Sequence, residues 1–209
     1  GRIADIAINP SNENNWYVAV GSGGTWKTEN AGTTWIPLTD DESFYSTGCI
    51  TIDPNNHDKI WLGTGENVGG RHVGIGHGIF VSHDSGDTWT DMGLNESEHI
   101  SKIIVHPDNS NIIWVASQGP LWNSGGDRGL FKSIDGGKTW SNKLYVNEWT
   151  GVTDILIDPK NPDILYAATW QRHRNVAALI DGGPGTSIYK SLDGGDNWEK
   201  IDSGLPSSN

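Results

Sequence analysis

The stretch Ser133-Ile134-Asp135-Gly136-Gly137-Lys138-Thr139-Trp140 decides the fold of this chain, because its pattern occurs four times. The other copies keep the hydroxyl residue, the polar residue, the glycine and the closing tryptophan, and they occupy residues 28–35, 82–89 and 191–198. The copies recur at intervals of roughly 50 to 60 residues, and a regular interval of this size is the signature of a repeat architecture.

Two apolar segments precede each copy. The first ends at a proline, as in Ile50-Thr51-Ile52-Asp53-Pro54, and the second is rich in aromatic residues, as in Ile112-Ile113-Trp114-Val115-Ala116. Turns of Asn, Asp and Pro separate them. With one strand before the box and one that starts at its tryptophan, each unit has four short strands, A to D. Four antiparallel strands per repeat of this length predict a propeller blade.

The predicted fold class is therefore all-β: a β-propeller of four-stranded antiparallel blades, with the boxes in the C–D hairpins. The chain reads as a single propeller segment with blades at about residues 1–43, 44–97, 98–148 and 149–209. No segment keeps a 3.6-residue period, which argues against a strand–helix solenoid and predicts little or no helix.

Four blades lie at the lower limit for a closed ring. The chain begins at a strand A and ends after a strand D, so no strand is left over to close a ring by overlap. We therefore expect a partial, open propeller. The remaining blades or domains of a larger protein, or other chains, should cover the outer faces of blades one and four.

The charge balance excludes some partners. The sequence has 14 Lys and Arg against 26 Asp and Glu, for a net charge of −12. Such a surface repels phosphate backbones, so no nucleic acid partner is predicted. No stretch approaches the ~20 apolar residues of a membrane span, so no membrane insertion is predicted. The single cysteine, Cys49, lies in an apolar run and is expected to be buried.

The boxes have a structural interpretation. Short polar side chains accept hydrogen bonds from turn N–H groups, glycine supplies positive φ, and a tryptophan packs against the neighbouring blade. Because the first copy has an asparagine in place of the aspartate, a catalytic role is disfavoured. We predict structural roles for Asn30, Asp84, Asp135 and Asp193, and for Trp35, Trp89, Trp140 and Trp198.

The repeat resembles the Asp-box, or bacterial neuraminidase (BNR), repeat. Together with residues 23–28 (Gly-Gly-Thr-Trp-Lys-Thr), 63–67 (Gly-Thr-Gly-Glu-Asn) and 166–172 (Tyr-Ala-Ala-Thr-Trp-Gln-Arg), it resembles the sortilin-like propeller of large exported bacterial proteins, which are often labelled glycosyl hydrolases. The resemblance implies an extracellular, periplasmic or cell-surface location, although the sequence shows no signal peptide. It is specific for fold and weak for activity.

Two enzyme families that share the repeat can be compared residue by residue. Sialidases use an arginine triad and a Tyr–Glu pair, and this chain has no sialidase-type Arg-Ile-Pro start. The two-propeller xyloglucanases carry a catalytic Asp just before a Gly-Gly pair after strand B. The corresponding residues, Val20-Gly21-Ser22-Gly23-Gly24, contain no carboxylate. The resemblance thus implies that half of the acid/base pair is missing, and we predict no catalytic residue in this chain.

A ligand site is expected on the face that carries the B–C connections, because these differ most between blades and function tends to lie on such loops. Aromatic and arginine side chains are typical of recognition surfaces. The alternative is that the tryptophans fill the bases of the loops and that the glutamate pairs with an arginine. The candidate ligand-binding residues are Glu66, Asn67, Arg71, His72, Trp122, Trp170, Arg172 and Arg174.

No metal or cofactor is predicted. The histidines at positions 72, 77, 99 and 173 lack the spacing of a zinc site. The glycine-rich residues 181–185 lack the Lys-Ser/Thr of a phosphate loop.

The leading prediction is a non-catalytic recognition or scaffold segment of a larger exported protein, binding a protein, peptide or glycan on the B–C face. The alternative is a fragment of a polysaccharide-degrading glycosidase with part of its active site outside this chain. A third possibility is a purely architectural propeller. A glycosidase needs two carboxylates about 5–10 Å apart across a cleft. The candidate carboxylates are Asp5, Glu66, Glu98, Glu148 and Asp154.

Overall fold

A computed structural model describes residues 2–67 and 70–204, which form four antiparallel sheets in succession. The strands of blade one are β1 (Ile3–Ile8), β2 (Trp16–Val20), β3 (Gly24–Thr28) and β4 (Ile36–Pro37). Those of blade two are β5 (Thr47–Asp53), β6 (Asn56–Thr64), β7 (Ile79–Ser82) and β8 (Thr90–Asp91). Those of blade three are β9 (Ile100–His106), β10 (Asn109–Ser117), β11 (Gly129–Ser133) and β12 (Ser141–Leu144). Those of blade four are β13 (Thr150–Asp158), β14 (Asn161–Arg174), β15 (Leu179–Asp181), β16 (Ser187–Ser191) and β17 (Glu199–Lys200).

The strand order within each sheet follows the chain, as in a propeller blade; β15 is an addition that pairs only with β14. Residues 2–67 and 70–204 contain no helix. The predicted all-β propeller of four-stranded blades is confirmed.

The blades pack face to face through three hydrophobic clusters, one at each junction. Between blades one and two, Tyr17 lies against Ile50 and Phe80. Side chains alternate across a strand, so each blade offers an apolar face to both of its neighbours. Cys49 belongs to the cluster between blades two and three, and burial raises the pKa of its thiol well above the ordinary value.

The two outer faces of the arc are exposed. Ile6 of blade one is 52% exposed, whereas Ile50, at the same register position in blade two, is 3% exposed. On the far side of blade four, Leu156 is 61% exposed. The described chain is thus an open propeller, as the sequence predicts.

Each Asp-box turn is held by its own side chains. Asp135 Oδ1 accepts from the Thr139 N–H at 3.0 Å, and Oδ2 accepts from the Thr139 hydroxyl at 2.6 Å. Ser133 Oγ donates to Asp135 Oδ1 and accepts from the Gly137 N–H, each at 2.8 Å. These contacts, with Thr139 first, lower the pKa of Asp135 to about 2. In the first copy, Asn30 Oδ1 takes the equivalent place and accepts from the Thr34 N–H at 2.8 Å.

The box tryptophans differ in their surroundings. The indole N–H of Trp89 donates to Leu38 O at 3.3 Å and that of Trp140 to Met92 O at 2.7 Å, in each case on the preceding blade. The indole N–H of Trp198 donates to Gly195 O within its own turn. Trp35 lies on the open face of blade one and is 39% exposed.

The B–C connection of blade four is a hairpin, where the sequence analysis expects a loop. Strand β14 continues to Arg174, and Arg172 pairs with Asp181 of β15. The extension is held by the pairing of His173 with Ile180 and of Arg174 with Leu179.

Candidate functional site

The B–C connections of different blades meet at one edge of the arc. Arg71 Nη2, in the connection of blade two, donates to Val176 O in blade four at 2.8 Å. The side chains of Asn67 and Gln118 are hydrogen-bonded between blades two and three. These contacts bring the connections of blades two, three and four onto one surface.

Glu66 lies at the base of this surface and is 2% exposed. Arg2 Nε donates to Glu66 Oε1 at 2.6 Å, and Arg2 Nη2 lies 2.5 Å from the same oxygen. The carboxylate therefore forms an ion pair with blade one. This is the pairing of glutamate with arginine that the sequence analysis gives as the alternative to ligand binding.

The carboxylate of Glu66 also fills the space beside Gly21. A Cβ at position 21 would collide with Glu66 Oε1, so a larger residue there would displace the Glu66 carboxylate. In the sequence comparison with the xyloglucanases, residues 20–24 contain no carboxylate. The Glu66 carboxylate of the neighbouring blade lies beside Gly21 in this stretch, a proximity that a linear motif does not reveal.

Arg128, which is not among the sequence candidates, organises the connection of blade three. It is fully buried and donates to five backbone carbonyls, those of Gln118, Pro120, Asn123, Gly125 and Trp149. Burial lowers its pKa to about 10, so the guanidinium stays charged at neutral pH. Its role is to fix the loop that presents Trp122.

Arg172 is also buried, at 1% exposure, and lies over the Trp170 ring at 5.0 Å. Burial, followed by the charge of Arg128, lowers its pKa to about 10. Arg172 is therefore inaccessible to a ligand, whereas its neighbour Trp170 is half-buried.

Two further groups lie beside these guanidinium groups. Burial and then the charge of Arg172 lower the pKa of His99 to about 3, so the imidazole is neutral at physiological pH. Burial raises the pKa of Glu98, against opposing contributions from the Leu121 backbone and from Arg128. Glu98 also has φ of 54°, a left-handed conformation that is uncommon for a glutamate.

The accessible part of the surface consists of the remaining candidates. Arg71 and His72 are exposed, and Trp122 is 37% exposed. Arg174 is half-buried, and its backbone N–H donates to the backbone carbonyl of Leu121 at 3.0 Å, next to Trp122 in the sequence. The rings of Trp149 and His173 add a further aromatic pair with centroids 4.0 Å apart.

The five candidate carboxylates lie in different surroundings. Glu66 is paired towards blade one, whereas Glu98 lies near Arg128 of blade three. Asp5 accepts a hydrogen bond from blade two, and Asp154 is exposed on the outer face of blade four. Glu148 is exposed and its backbone carbonyl accepts from Gly125.

Within residues 2–67 and 70–204, no cluster of three or more His, Cys, Asp or Glu side chains has the arrangement of a metal site. The same residues include no helix long and apolar enough to cross a membrane.

A family model described as sortilin, neurotensin receptor 3, matches residues 77–207. The chain belongs to the Sortilin-Vps10 family. The sequence resemblance is thereby confirmed. The matched residues include the Asp-boxes of blades two to four, Trp122, Trp170 and the two buried arginines.

This Sortilin-Vps10 chain is also similar to curated xyloglucanases. It is 29% identical to a probable oligoxyloglucan-reducing end-specific xyloglucanase of Neosartorya fischeri, over 96% of the chain and 24% of that protein. It is 26% identical to a xyloglucanase of a Paenibacillus species, over 96% of the chain and 21% of that protein. The chain thus spans about a quarter of the length of the curated relatives it matches.

Solved structures agree on the fold. An ancestral GH74 enzyme superposes with a TM-score of 0.74 at 19% identity, covering 99% of this chain and 26% of that one. A GH74 xyloglucanase from Xanthomonas campestris superposes with a TM-score of 0.69 at 18% identity, covering 96% and 30%. At these identities the likeness establishes the propeller architecture alone.

Proposed function

We propose that this chain is a glycan-binding segment of a polysaccharide-degrading glycosidase, with part of the active site outside the chain. The observation that carries the proposal is the similarity to fungal and bacterial xyloglucanases over 96% of the chain. It favours the glycosidase alternative over the non-catalytic recognition module that leads the sequence analysis. The substrate class would be xyloglucan or a related β-glucan.

The accessible residues suit such a ligand. Trp122, which is 37% exposed, can stack on a pyranose ring, and Arg71 and His72 can donate hydrogen bonds to hydroxyls. Binding sites of this kind combine aromatic surface with a few placed polar groups. A neutral polysaccharide needs no basic surface, so the net charge of −12 does not oppose binding.

Hydrolysis would require carboxylates from elsewhere. A glycosidase pairs an acid of raised pKa with a second carboxylate across the scissile bond. Glu98 has the raised pKa of an acid, but Glu66 is held in its ion pair with Arg2. We therefore assign the missing partner to blades outside residues 1–209.

A polysaccharide is too large to enter a cell intact, so the protein would act outside the cell or at its surface. Residues 1–209 would form a single propeller segment, with the four blades as the sequence divides them, inside a longer polypeptide.

A binding experiment with a matched control tests the proposal. Trp122 is 37% exposed and lies in a B–C connection. Trp35 is equally accessible, at 39%, but lies in an Asp-box, at the opposite ends of the strands. Titration calorimetry with xyloglucan oligosaccharides should show about tenfold weaker binding for Trp122→Ala, or ~1.4 kcal/mol, and unchanged binding for Trp35→Ala. Failure of the unaltered protein to bind these oligosaccharides, or equal losses in both variants, would refute it.

A further inference from the structure

A cavity of about 400 Å³ lies at the end of blade one that carries its B–C connection. Two segments form its walls: the connection between β2 and β3, and the segment that leads from β4 to β5 of blade two. None of the sequence candidates for ligand binding is among the described residues that line it. The lining side chains with the chemistry to recognise a ligand are those of Trp26, Asp40, Glu42, Phe44 and Tyr45.

Hydrogen bonds join the two walls, so the fold itself sets the shape of the cavity. The Gly24 N–H donates to the Tyr45 carbonyl at 2.8 Å, and the Thr25 N–H donates to Thr39 Oγ1 at 2.9 Å. Gly24 has φ of 66°, and a Cβ there would collide with Thr39 Oγ1. Glycine at this position therefore lets the walls approach each other closely. A preformed site saves a ligand the free energy of ordering it.

Three aromatic side chains border the cavity. Phe44 is buried, and its ring packs against that of Phe80 with centroids 4.2 Å apart. Trp26 is half-buried, and its indole N–H donates to Gly23 O at 2.7 Å, which fixes the ring. Tyr45 lies at the rim and is 66% exposed. The faces of aromatic rings attract cations, most strongly where water is excluded.

The charge at the cavity is negative and unbalanced. Asp40 and Glu42 line it, and none of the described lining residues is Lys, Arg or His. Asp41, between them in the sequence, adds a third carboxylate and is exposed. In the part of the chain that the structure describes, neither lining carboxylate has an ion pair or a side-chain hydrogen bond. The nearby Glu66 carboxylate, beside Gly21, is by contrast paired with an arginine.

We propose that this cavity binds a guanidinium group, that of an arginine side chain in a peptide or protein. A guanidinium presents planar donors that match carboxylates, stacks on aromatic rings and is more weakly hydrated than an ammonium. Asp40 and Glu42 would accept its N–H groups, and Trp26 and Tyr45 would offer ring surface. The net charge of −12 would steer a basic ligand towards the protein.

Other ligands use only part of this lining. A pyranose ring can stack on Tyr45, but a neutral sugar would leave two carboxylates without a compensating charge. A calcium ion would compensate the carboxylates, but it prefers oxygen ligands and would gain nothing from three aromatic walls. A guanidinium group uses both the charge and the rings. Its binding in blade one would be independent of the proposed glycan binding at Trp122 in blade three.

Titration calorimetry of the protein with Nα-acetyl-arginine amide tests the proposal. The matched ligand is the citrulline derivative, which has nearly the same shape but no charge. The arginine derivative should bind roughly tenfold more tightly. Its binding should also weaken when the salt concentration rises from about 50 mM to about 500 mM, because ions screen the carboxylates. Equal binding of the two ligands would overturn the proposal.

Matched variants locate the binding in the cavity. Asp40→Asn and Glu42→Gln remove a charge but keep the shape, and each should weaken arginine binding about fivefold. Tyr45→Ala should weaken it about threefold through the lost ring. The control is Glu13→Gln, because Glu13 is an exposed carboxylate in the A–B turn at the other end of blade one. This variant should bind the arginine derivative as the unaltered protein does.

Three results would contradict a guanidinium site. The first is an equal loss in Glu13→Gln, and the second is undiminished binding in both Asp40→Asn and Glu42→Gln. The third is binding of calcium ions or xyloglucan oligosaccharides that Glu42→Gln abolishes, because the cavity would then hold a different ligand. The expected result is a loss of arginine binding in Glu42→Gln with no change in the titration with xyloglucan oligosaccharides.

Discussion

Replacement of Trp140 by alanine tests how the Asp-box joins neighbouring blades. The Trp140 indole packs against the cluster between blades two and three and donates to Met92 O at 2.7 Å. The substitution removes roughly 150 Å² of buried aromatic surface, which at ~25 cal/mol per Å² stabilises the fold by about 3–4 kcal/mol. The expected loss in the free energy of unfolding is therefore about 3–4 kcal/mol.

Two matched variants separate the contributions. Trp140→Phe keeps most of the packing and removes the indole N–H, so it should cost about 1–2 kcal/mol. Trp35→Ala removes the same residue type from the box of blade one, where Trp35 makes an edge contact with Trp16 and is 39% exposed. That change should cost about 1 kcal/mol or less.

Urea unfolding followed by circular dichroism measures all three variants against the unaltered protein. The loss in the free energy of unfolding should be largest for Trp140→Ala, smaller for Trp140→Phe and smallest for Trp35→Ala. If Trp140→Ala were as mild as Trp35→Ala, packing across the blade junction would not be the role of the box tryptophan.

Three further predictions concern acid, the box carboxylates and the outer faces. The pKa of His99 is about 3 in the folded state, against an ordinary value of 6.5. Between these two pH values the unfolded state binds more protons than the folded state. The free energy of unfolding should therefore fall as the pH drops below ~6.5, by ~2 kcal/mol at pH 5. His99→Gln should abolish this loss in urea titrations at the two pH values, and an unchanged loss would contradict the assignment. Asp84→Ala should lower the thermal midpoint at pH 6 but hardly at pH 2. The contacts with Thr88 lower the pKa of Asp84 from 3.8 to about 2, so their contribution to stability is lost as the pH falls through that range. Equal effects at both pH values would contradict this role of the box carboxylate. Residues 1–209 alone should self-associate through faces that include Ile6 and Leu156, and a monomer of 22.7 kDa in light scattering would contradict this.

The repeat and the blade architecture were predictable because their signals are local. An Asp-box closes on itself within eight residues, as the contacts of Ser133, Asp135 and Thr139 show. The alternation of strands A and B likewise needs no knowledge of distant residues. The sequence therefore predicts the fold class and the open arc.

The surface was less predictable because its contacts join distant parts of the chain. Arg2 and Glu66 are 64 positions apart, and Arg71 and Val176 are 105 apart. Arg128 binds backbone carbonyls, which carry no side-chain signature in a sequence. From its sequence Arg172 is expected on an exposed recognition surface, whereas the extension of β14 buries it.

Hydrogen–deuterium exchange of the protein with and without a xyloglucan oligosaccharide tests the central proposal most directly. If the B–C face holds the glycan, protection should appear in peptides from residues 70–78, 118–128 and 170–183, and the Asp-box turns at 82–89 and 133–140 should exchange as before. Protection confined to the Asp-box turns, or no protection at saturating oligosaccharide, would contradict the proposal that this propeller segment binds a polysaccharide on its B–C face.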